Sequence, residues 1–95
     1  MEKALVMDKN DNTATAINDL GSGQTVSVLI GDKRINVLLA EEIPFGHKFA
    51  LKPIARGDQV IKYGAPIGLA TDDIAIGMHV HSHNLEGARG RGDRK

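Results

Sequence analysis

A chain of 95 residues, 41% hydrophobic but with only two Phe, one Tyr and no Trp, has room for one small domain with a Val, Ile, Leu and Ala core and little stability to spare. Twelve basic and twelve acidic side chains cancel, and no basic stripe interleaved with aromatics occurs, so neither nucleic acid nor an anionic membrane is expected as a ligand. The absence of cysteine excludes a disulfide framework and a thiolate nucleophile; no apolar run nears the roughly 18 residues that span a bilayer, and MEKALVMDKND lacks a signal-peptide core, so the cytosol is the expected location.

Taken in order, Ala4 to Met7 is a short apolar run that predicts a strand, closed by Asp8-Lys9-Asn10-Asp11-Asn12, whose side chains favour turns by bonding nearby backbone. Thr13 to Ile17 predicts a second strand, broken at Asp19-Leu20-Gly21-Ser22-Gly23. Val26 to Ile30 and Ile35 to Leu39 flank Gly31-Asp32-Lys33-Arg34 and predict a hairpin. Ile43-Pro44-Phe45-Gly46 reads as a loop and His47 to Leu51 as the next extended segment. Helix is poorly supported; Leu38 to Ile43 allows one turn at most before Pro44 stops it.

One pattern recurs. Apolar-x-x-Gly-x-x-Val occurs at Leu20, Gly23, Val26, again at Ile54, Gly57, Val60, and again at Ile74, Gly77, Val80, with an aspartate before the first and last copies, Asp19 and Asp73. It predicts a reused unit of apolar anchor, glycine turn and short strand. The expected class is therefore mostly β, with many short strands whose edges invite a partner chain or a second copy of this one.

Two stretches carry chemistry. Lys62 and Tyr63 end a short strand before the Gly64 corner; lysine there binds a carboxylate or accepts a proton if burial lowers its pKa, and tyrosine donates a hydrogen bond. On a strand only one of the two faces a given pocket, and the plain alternative is a solvated lysine beside a core tyrosine. In Met78-His79-Val80-His81-Ser82-His83-Asn84, an extended chain puts His79, His81 and His83 on one face. Neighbours in that row stand about 6.6 Å apart and can share an ion at about 2.0 to 2.1 Å, but the outer two, about 13 Å apart, cannot unless the strand bends. At most two of the three are expected on one centre, with a further ligand from another loop or chain; the alternative is histidines that sit in water.

The segments GHKFAL (46–51), DQVIKYGAPIGLATDDIAIG (58–77) and HVHSHN (79–84) resemble the SAF domain of the altronate and galactarate dehydratase family and its small stand-alone relatives, the alpha subunits of split altronate dehydratases and of sulfolactate sulfo-lyase. The likeness runs from the Asp11-Asn12 turn through Asn84. It implies a β-clip fold over residues 1–86, and a lyase that removes water or sulfite from small hydroxy-acids with a divalent metal, iron or manganese. It also implies a separate large catalytic subunit, with this chain completing the site and inactive alone. On that reading Lys62, Tyr63 and His81 are catalytic candidates, His47 and Asn84 substrate-binding candidates, and His79, His81 and His83 metal ligands. Residues 87–95, rich in glycine and arginine, read as a disordered tail able to touch the partner or an anionic substrate through Arg89, Arg91, Arg94 and Lys95; Arg91-Gly92-Asp93 is taken as chance. Two readings compete with the lyase subunit: a stand-alone module that binds sugar acids without catalysis, and a metal-binding or assembly module.

Overall fold

The computed structural model describes residues 2–87, and the basic tail expected at the C-terminus lies outside these apart from Gly87. Nine short strands follow one another: β1 (Ala4–Leu5), β2 (Thr13–Ala16), β3 (Thr25–Ile30), β4 (Lys33–Leu38), β5 (Lys48–Ala50), β6 (Gln59–Lys62), β7 (Ala65–Ala70), β8 (His79–Val80) and β9 (Leu85–Gly87). They form three small antiparallel sheets, ordered β1-β2-β5-β8, β3-β4 and β6-β7-β9. No helix occurs among the described residues, so the domain is mostly β, as expected. The stretch from Leu38 to Ile43 makes no helical turn; it links the end of β4 to a backbone bridge at Ile43.

The repeat organises this architecture, and it has four copies rather than the three visible in sequence. Ile43, Gly46 and Phe49 form the fourth, ending in phenylalanine where the others end in valine. In every copy the glycine is left-handed: Gly23 at φ 84°, Gly46 at 85°, Gly57 at 90° and Gly77 at 83°. Each sits third in a tight turn closed by a backbone bond, Gln24 N to Gly21 O, His47 N to Pro44 O, Asp58 N to Ala55 O and Met78 N to Ala75 O. A type II turn needs positive φ at that position, which glycine adopts without a Cβ penalty.

The four copies couple in two pairs. Leu20 and Ile43 exchange both backbone bonds at 2.9 Å, and Ile54 and Ile74 do the same at 2.9 and 2.8 Å. The aspartates lock each pair: Asp19 Oδ1 accepts from Phe45 N at 2.8 Å, and Asp73 Oδ1 from Arg56 N at 2.9 Å, each inside the turn of the partner copy. All four anchors and the four side chains that close the motif, Val26, Phe49, Val60 and Val80, each second in its strand, are buried. One pair closes over a core of Leu20, Val26, Val28, Val37, Leu39, Ile43 and Phe49; the other over Ala50, Ile54, Val60, Ala70, Ile74 and Val80. Strand β5 divides the two, Phe49 facing the first core and Ala50 the second, as the alternation of a strand requires.

Three boundaries differ from the sequence reading. The β3-β4 hairpin turns on Gly31-Asp32 alone, with Ile30 paired to Lys33, because the left-handed Gly31 at φ 63° supplies a two-residue loop. Tyr63 belongs to a turn and not to the end of β6: Tyr63 and Gly64 both have positive φ, 56° and 77°, between the paired Lys62 and Ala65. Gly87, read as the first residue of the tail, completes β9, which pairs with β7, where Gly68 is packed so closely that an added Cβ would lie 2.1 Å from the Glu86 carbonyl oxygen.

Gly23 and Gly77 separate conformational from steric cost. Both are left-handed, but a Cβ at Gly23 meets nothing within 4 Å while one at Gly77 would lie 2.1 Å from the Leu38 carbonyl oxygen. Gly23→Ala is expected to lower stability by about 1 kcal/mol, and Gly77→Ala by about 3 kcal/mol or more, read from urea unfolding of the two variants.

Candidate metal centre

Three imidazoles from separate turns converge. His47 follows the glycine turn of the second repeat copy, its N–H bonded to Pro44 O at 3.0 Å and its carbonyl accepting from Ala16 N at 2.8 Å. His79 opens β8 opposite Phe49, and its N–H is held by Glu41 Oε2 at 3.1 Å. His81 begins the turn after β8. Asn84, only 3% exposed, binds that turn from behind: its Oδ1 accepts from His81 N at 3.0 Å, and its Nδ2 donates to His79 O at 2.8 Å.

The nearest ring nitrogens of His47, His79 and His81 all lie within 4.8 Å of one another. The ring of His47 stacks on His81 at 4.1 Å between centroids and on His79 at 5.0 Å, and His47 Nδ1 approaches His79 Nε2 to 2.8 Å. That contact needs a proton on one nitrogen and a lone pair on the other, so the two rings cannot both be imidazolium and keep it. Partial loss of hydration, then the like charge of His47, holds His79 below the usual histidine pKa; Glu41 opposes the shift. His81 is lowered in the same way by dehydration, then by His47 and Lys48. Neutral imidazoles are the ligand form, so the surroundings favour the state a metal requires.

The row of histidines behaves differently from an extended strand. Strand β8 ends at Val80, and residues 81–84 turn back with Asn84 N bonded to His81 O at 3.0 Å. The bend carries His83 to within 5.2 Å of His79, its ring tilted by 39°, but it is His47 and not His83 that completes the close set of ligand atoms. The third imidazole of the cluster thus comes from another loop of this same chain. Asn84, a candidate for substrate contact, is buried, with both ends of its amide bonded to the histidine turn, where it positions His79 and His81.

Lys62 and Tyr63 sit at the tip of the β6-β7 hairpin, the Lys62 ammonium 4.8 Å from the centroid of the Tyr63 ring and Tyr63 49% exposed. A bulky residue at positive φ is uncommon, since the first place of such a turn favours Asn or Gly. The tip is held by a loop far away in sequence. Asp11, 2% exposed, accepts from Gly64 N at 2.7 Å through Oδ1 and from Met7 N and Asp8 N through Oδ2. Asn12 grips β6 with its side chain, Oδ1 accepting from Ile61 N at 2.7 Å and Nδ2 donating to Gln59 O at 2.9 Å.

Sequence reasoning passed over three participants. Glu41 and Asp11 act across 38 and 53 residues, which no local pattern reveals. Lys48 stands beside His47 in the Gly46-His47-Lys48 run and is partly buried; that burial, followed by the charge of Lys62, lowers its pKa. A charged residue directly before the buried pair Phe49-Ala50 was its one visible signal.

The fold and the site together define a small β domain that presents a cluster of imidazoles at its rim. The family model of the altronate/galactarate dehydratase SAF domain matches residues 2–88, and the chain belongs to that family. It is 54% identical over 74 residues to the altronate dehydratase of Escherichia coli (strain K12), covering 78% of this chain and 14% of that protein. To the altronate dehydratase of Bacillus subtilis (strain 168) it is 36% identical over 86 residues, 90% of this chain and 16% of the other. To (2R)-sulfolactate sulfo-lyase subunit alpha of Chromohalobacter salexigens it is 32% identical over 88 residues, 90% of this chain and 94% of that subunit. The chain thus spans about a seventh of the length of the altronate dehydratases it matches. Its relatives are lyases.

Two outcomes test the site. Titrated with cobalt(II) and followed by its visible absorption, the chain is expected to bind one ion; His47→Ala, His79→Ala and His81→Ala each weaken binding by about 100-fold, and His83→Ala by far less. The second is pH dependence without metal. Because His79 and His81 titrate lower in the folded chain than in the unfolded one, the unfolded state takes up protons first as pH falls below about 6.5. Stability is therefore expected to fall as pH drops from about 6.5 towards the lowered values and to level off below them. Urea midpoints across that range check this, and the His79→Ala/His81→Ala double variant should flatten the slope.

Proposed function

We propose that the chain is the small component of a hydroxy-acid lyase, supplying an imidazole centre that a separate large catalytic chain closes into an active site. The observation that carries the reading is the convergence of His47, His79 and His81 within 4.8 Å in a chain of the dehydratase SAF family. A subunit arrangement is supported by the match over 94% of a sulfo-lyase chain whose name is itself that of a subunit. The reading carries with it the cytosolic setting expected from the sequence.

The divalent metal that the family resemblance implies fits these residues. The 2.8 Å between His47 Nδ1 and His79 Nε2 is close to the separation of about 3 Å between adjacent ligands that each sit about 2.1 Å from one ion. Three imidazoles suit iron better than manganese, which prefers carboxylate and water oxygens. Bound there, such an ion supplies a Lewis acid for the negative charge that develops when the proton beside a carboxylate is removed.

This chain's own part is to position the imidazoles and to supply one proton. Glu41 and Asn84 fix the backbone at His79 and His81, and the Pro44 and Ala16 bonds fix it at His47, so that the three imidazoles converge. His81, also a candidate for proton transfer, takes its place among the ligands. Tyr63 is a half-exposed residue whose hydroxyl makes no hydrogen bond among the described residues; we assign it to protonate the leaving hydroxyl, which departs as water, while a base of the large chain takes the α-proton and solvent restores the tyrosine's own. The histidine rim is partly open to solvent, so exclusion of water falls to the large chain.

Elimination of sulfite is the second reading, favoured by the coverage of the sulfo-lyase subunit. The test is a tagged chain recovered from its native source together with whatever large chain accompanies it. The complex is expected to release water from a hydroxy-acid, the isolated chain to be inactive, and His47→Ala or His79→Ala in the complex to lower kcat by 100-fold or more, on the order of a lost metal ligand. Sulfite release from a sulfonated hydroxy-acid would select the second reading, and turnover by the isolated chain would overturn both.

A further inference from the structure

The β6-β7 hairpin carries a tyrosine where its turn disfavours one. Tyr63 and Gly64, between the paired Lys62 and Ala65, have φ of 56° and 77°, the signs of a type I′ turn. The first place of that turn favours Asn, Asp or Gly, which enter the left-handed region most readily, so a tyrosine needs to be held there from outside the hairpin. Strain of that kind persists where the surroundings over-determine it, and such positions cluster at binding and catalytic sites.

Two adjacent residues do the holding, and they differ in kind. Asn12 grips the strand, with Oδ1 accepting from Ile61 N at 2.7 Å and Nδ2 donating to Gln59 O at 2.9 Å. Asp11 grips the turn itself: Oδ1 accepts from Gly64 N at 2.7 Å, while Oδ2 accepts from Met7 N and Asp8 N, both at 3.3 Å. Asp11 is 2% exposed, and the one ion pair among the described residues joins Arg34 to Glu2, elsewhere on the surface. Burying a carboxylate without a counter-ion is unfavourable. What a carboxylate offers here is an acceptor at each oxygen, and three converging N–H groups need both. Asp8 closes on the same turn, where a Cβ at Gly64 would lie 2.8 Å from its Oδ2. The loop that holds the tip is bonded to the histidine-bearing segment as well: Asn12 O accepts from Leu51 N at 2.9 Å, one residue beyond the strand that His47 leads into.

We propose that Asp11 is the positioning residue of Tyr63: its carboxylate fixes Gly64, keeps Tyr63 left-handed and so aims the phenol at the leaving hydroxyl. The phenol's task rests on the lyase reading above, whereas the clamp is a property of this chain alone. The Lys62 ammonium, 4.8 Å from the centroid of the Tyr63 ring, restrains the ring on its stem.

The test begins with NMR of the isolated full chain. The unaltered chain is expected to show coupling across the hydrogen bond from Gly64 N to the Asp11 carboxyl carbon, and a strong contact between the amide and α protons of Tyr63, which marks positive φ. Asp11→Ser keeps a turn-forming hydroxyl but falls one atom short of Gly64. It should weaken the Tyr63 contact and speed exchange of the Gly64 amide about tenfold, with cobalt affinity at the histidines within about twofold. In the assembled complex it should lower kcat about 10- to 100-fold with KM within about twofold, as misplacing a reacting group does. Asp11→Asn, whose amide oxygen still meets Gly64 N, should recover most of that loss. In a Tyr63→Phe background, Asp11→Ser should lower kcat no further. A further loss without the phenol would mean that Asp11 acts only through the fold, and would overturn the proposal. So would an unchanged kcat, or a Tyr63 that stays left-handed over an equally protected Gly64 amide. If Asp11→Ser does not fold, absence of the coupling in the unaltered chain, or full activity of the Tyr63→Phe complex, overturns it instead. A complex that releases neither water nor sulfite sinks the lyase reading, while the NMR result still decides the clamp.

Discussion

Backbone reciprocity holds this domain together. In each of two pairs, Leu20 with Ile43 and Ile54 with Ile74, one residue of one turn and one of another trade N–H and C=O groups, and every glycine N–H of the four copies reaches a carbonyl elsewhere: Gly23 to Leu39, Gly46 to Ala16, Gly57 to Ala70 and Gly77 to Ala50. A chain with strands of two to six residues cannot satisfy its polar backbone by long ladders. It does so by turning often and by letting each turn bond into the next layer. The cost is four left-handed positions that only glycine fills easily, and the return is that buried anchors of two distant segments are held in register with few aromatic residues.

The histidines exploit that arrangement. His47 lies four residues after its anchor Ile43, and His79 five after Ile74, each at the point where a turn hands over to a strand. The two anchors belong to different pairs, so the imidazoles meet where the two halves of the domain join along β5 and β8. The site therefore inherits its geometry from the paired turns, and the side chains behind it, Glu41 and Asn84, use backbone N–H and C=O groups as their handles. Charge is arranged to match: dehydration and neighbouring cations keep His79 and His81 in the neutral form that can ligate.

Much of this could be read from the residues, and what could not has a physical reason. Apolar anchor, glycine and valine at fixed spacing gave the mostly β class and three of the four turns, because left-handed φ leaves a signature in composition; the copy ending at Phe49 escaped because its last side chain broke the pattern. The histidine row announced a cluster, but its membership depended on where β8 stops. Alternation assumes a straight strand, and an Asn84 side chain that bonds back to His81 and His79 ends it after Val80. Lys62 and Tyr63 were visible as a corner, whereas the carboxylate that shapes it, Asp11, looked like an ordinary turn residue. Partners 38 and 53 residues apart are set by the fold and are invisible to any local window.

Strand β5 is three residues long, yet consecutive positions on it serve different interiors, Phe49 one and Ala50 the other, with His47 and Lys48 just ahead of them. A single inserted or deleted residue there would exchange the occupants of both interiors and swing the imidazole away in the same stroke. Length variation in descendants of this chain is therefore barred from the centre of the molecule and has its natural outlet at the exposed Gly31-Asp32 hairpin tip, where an added residue would disturb nothing but solvent.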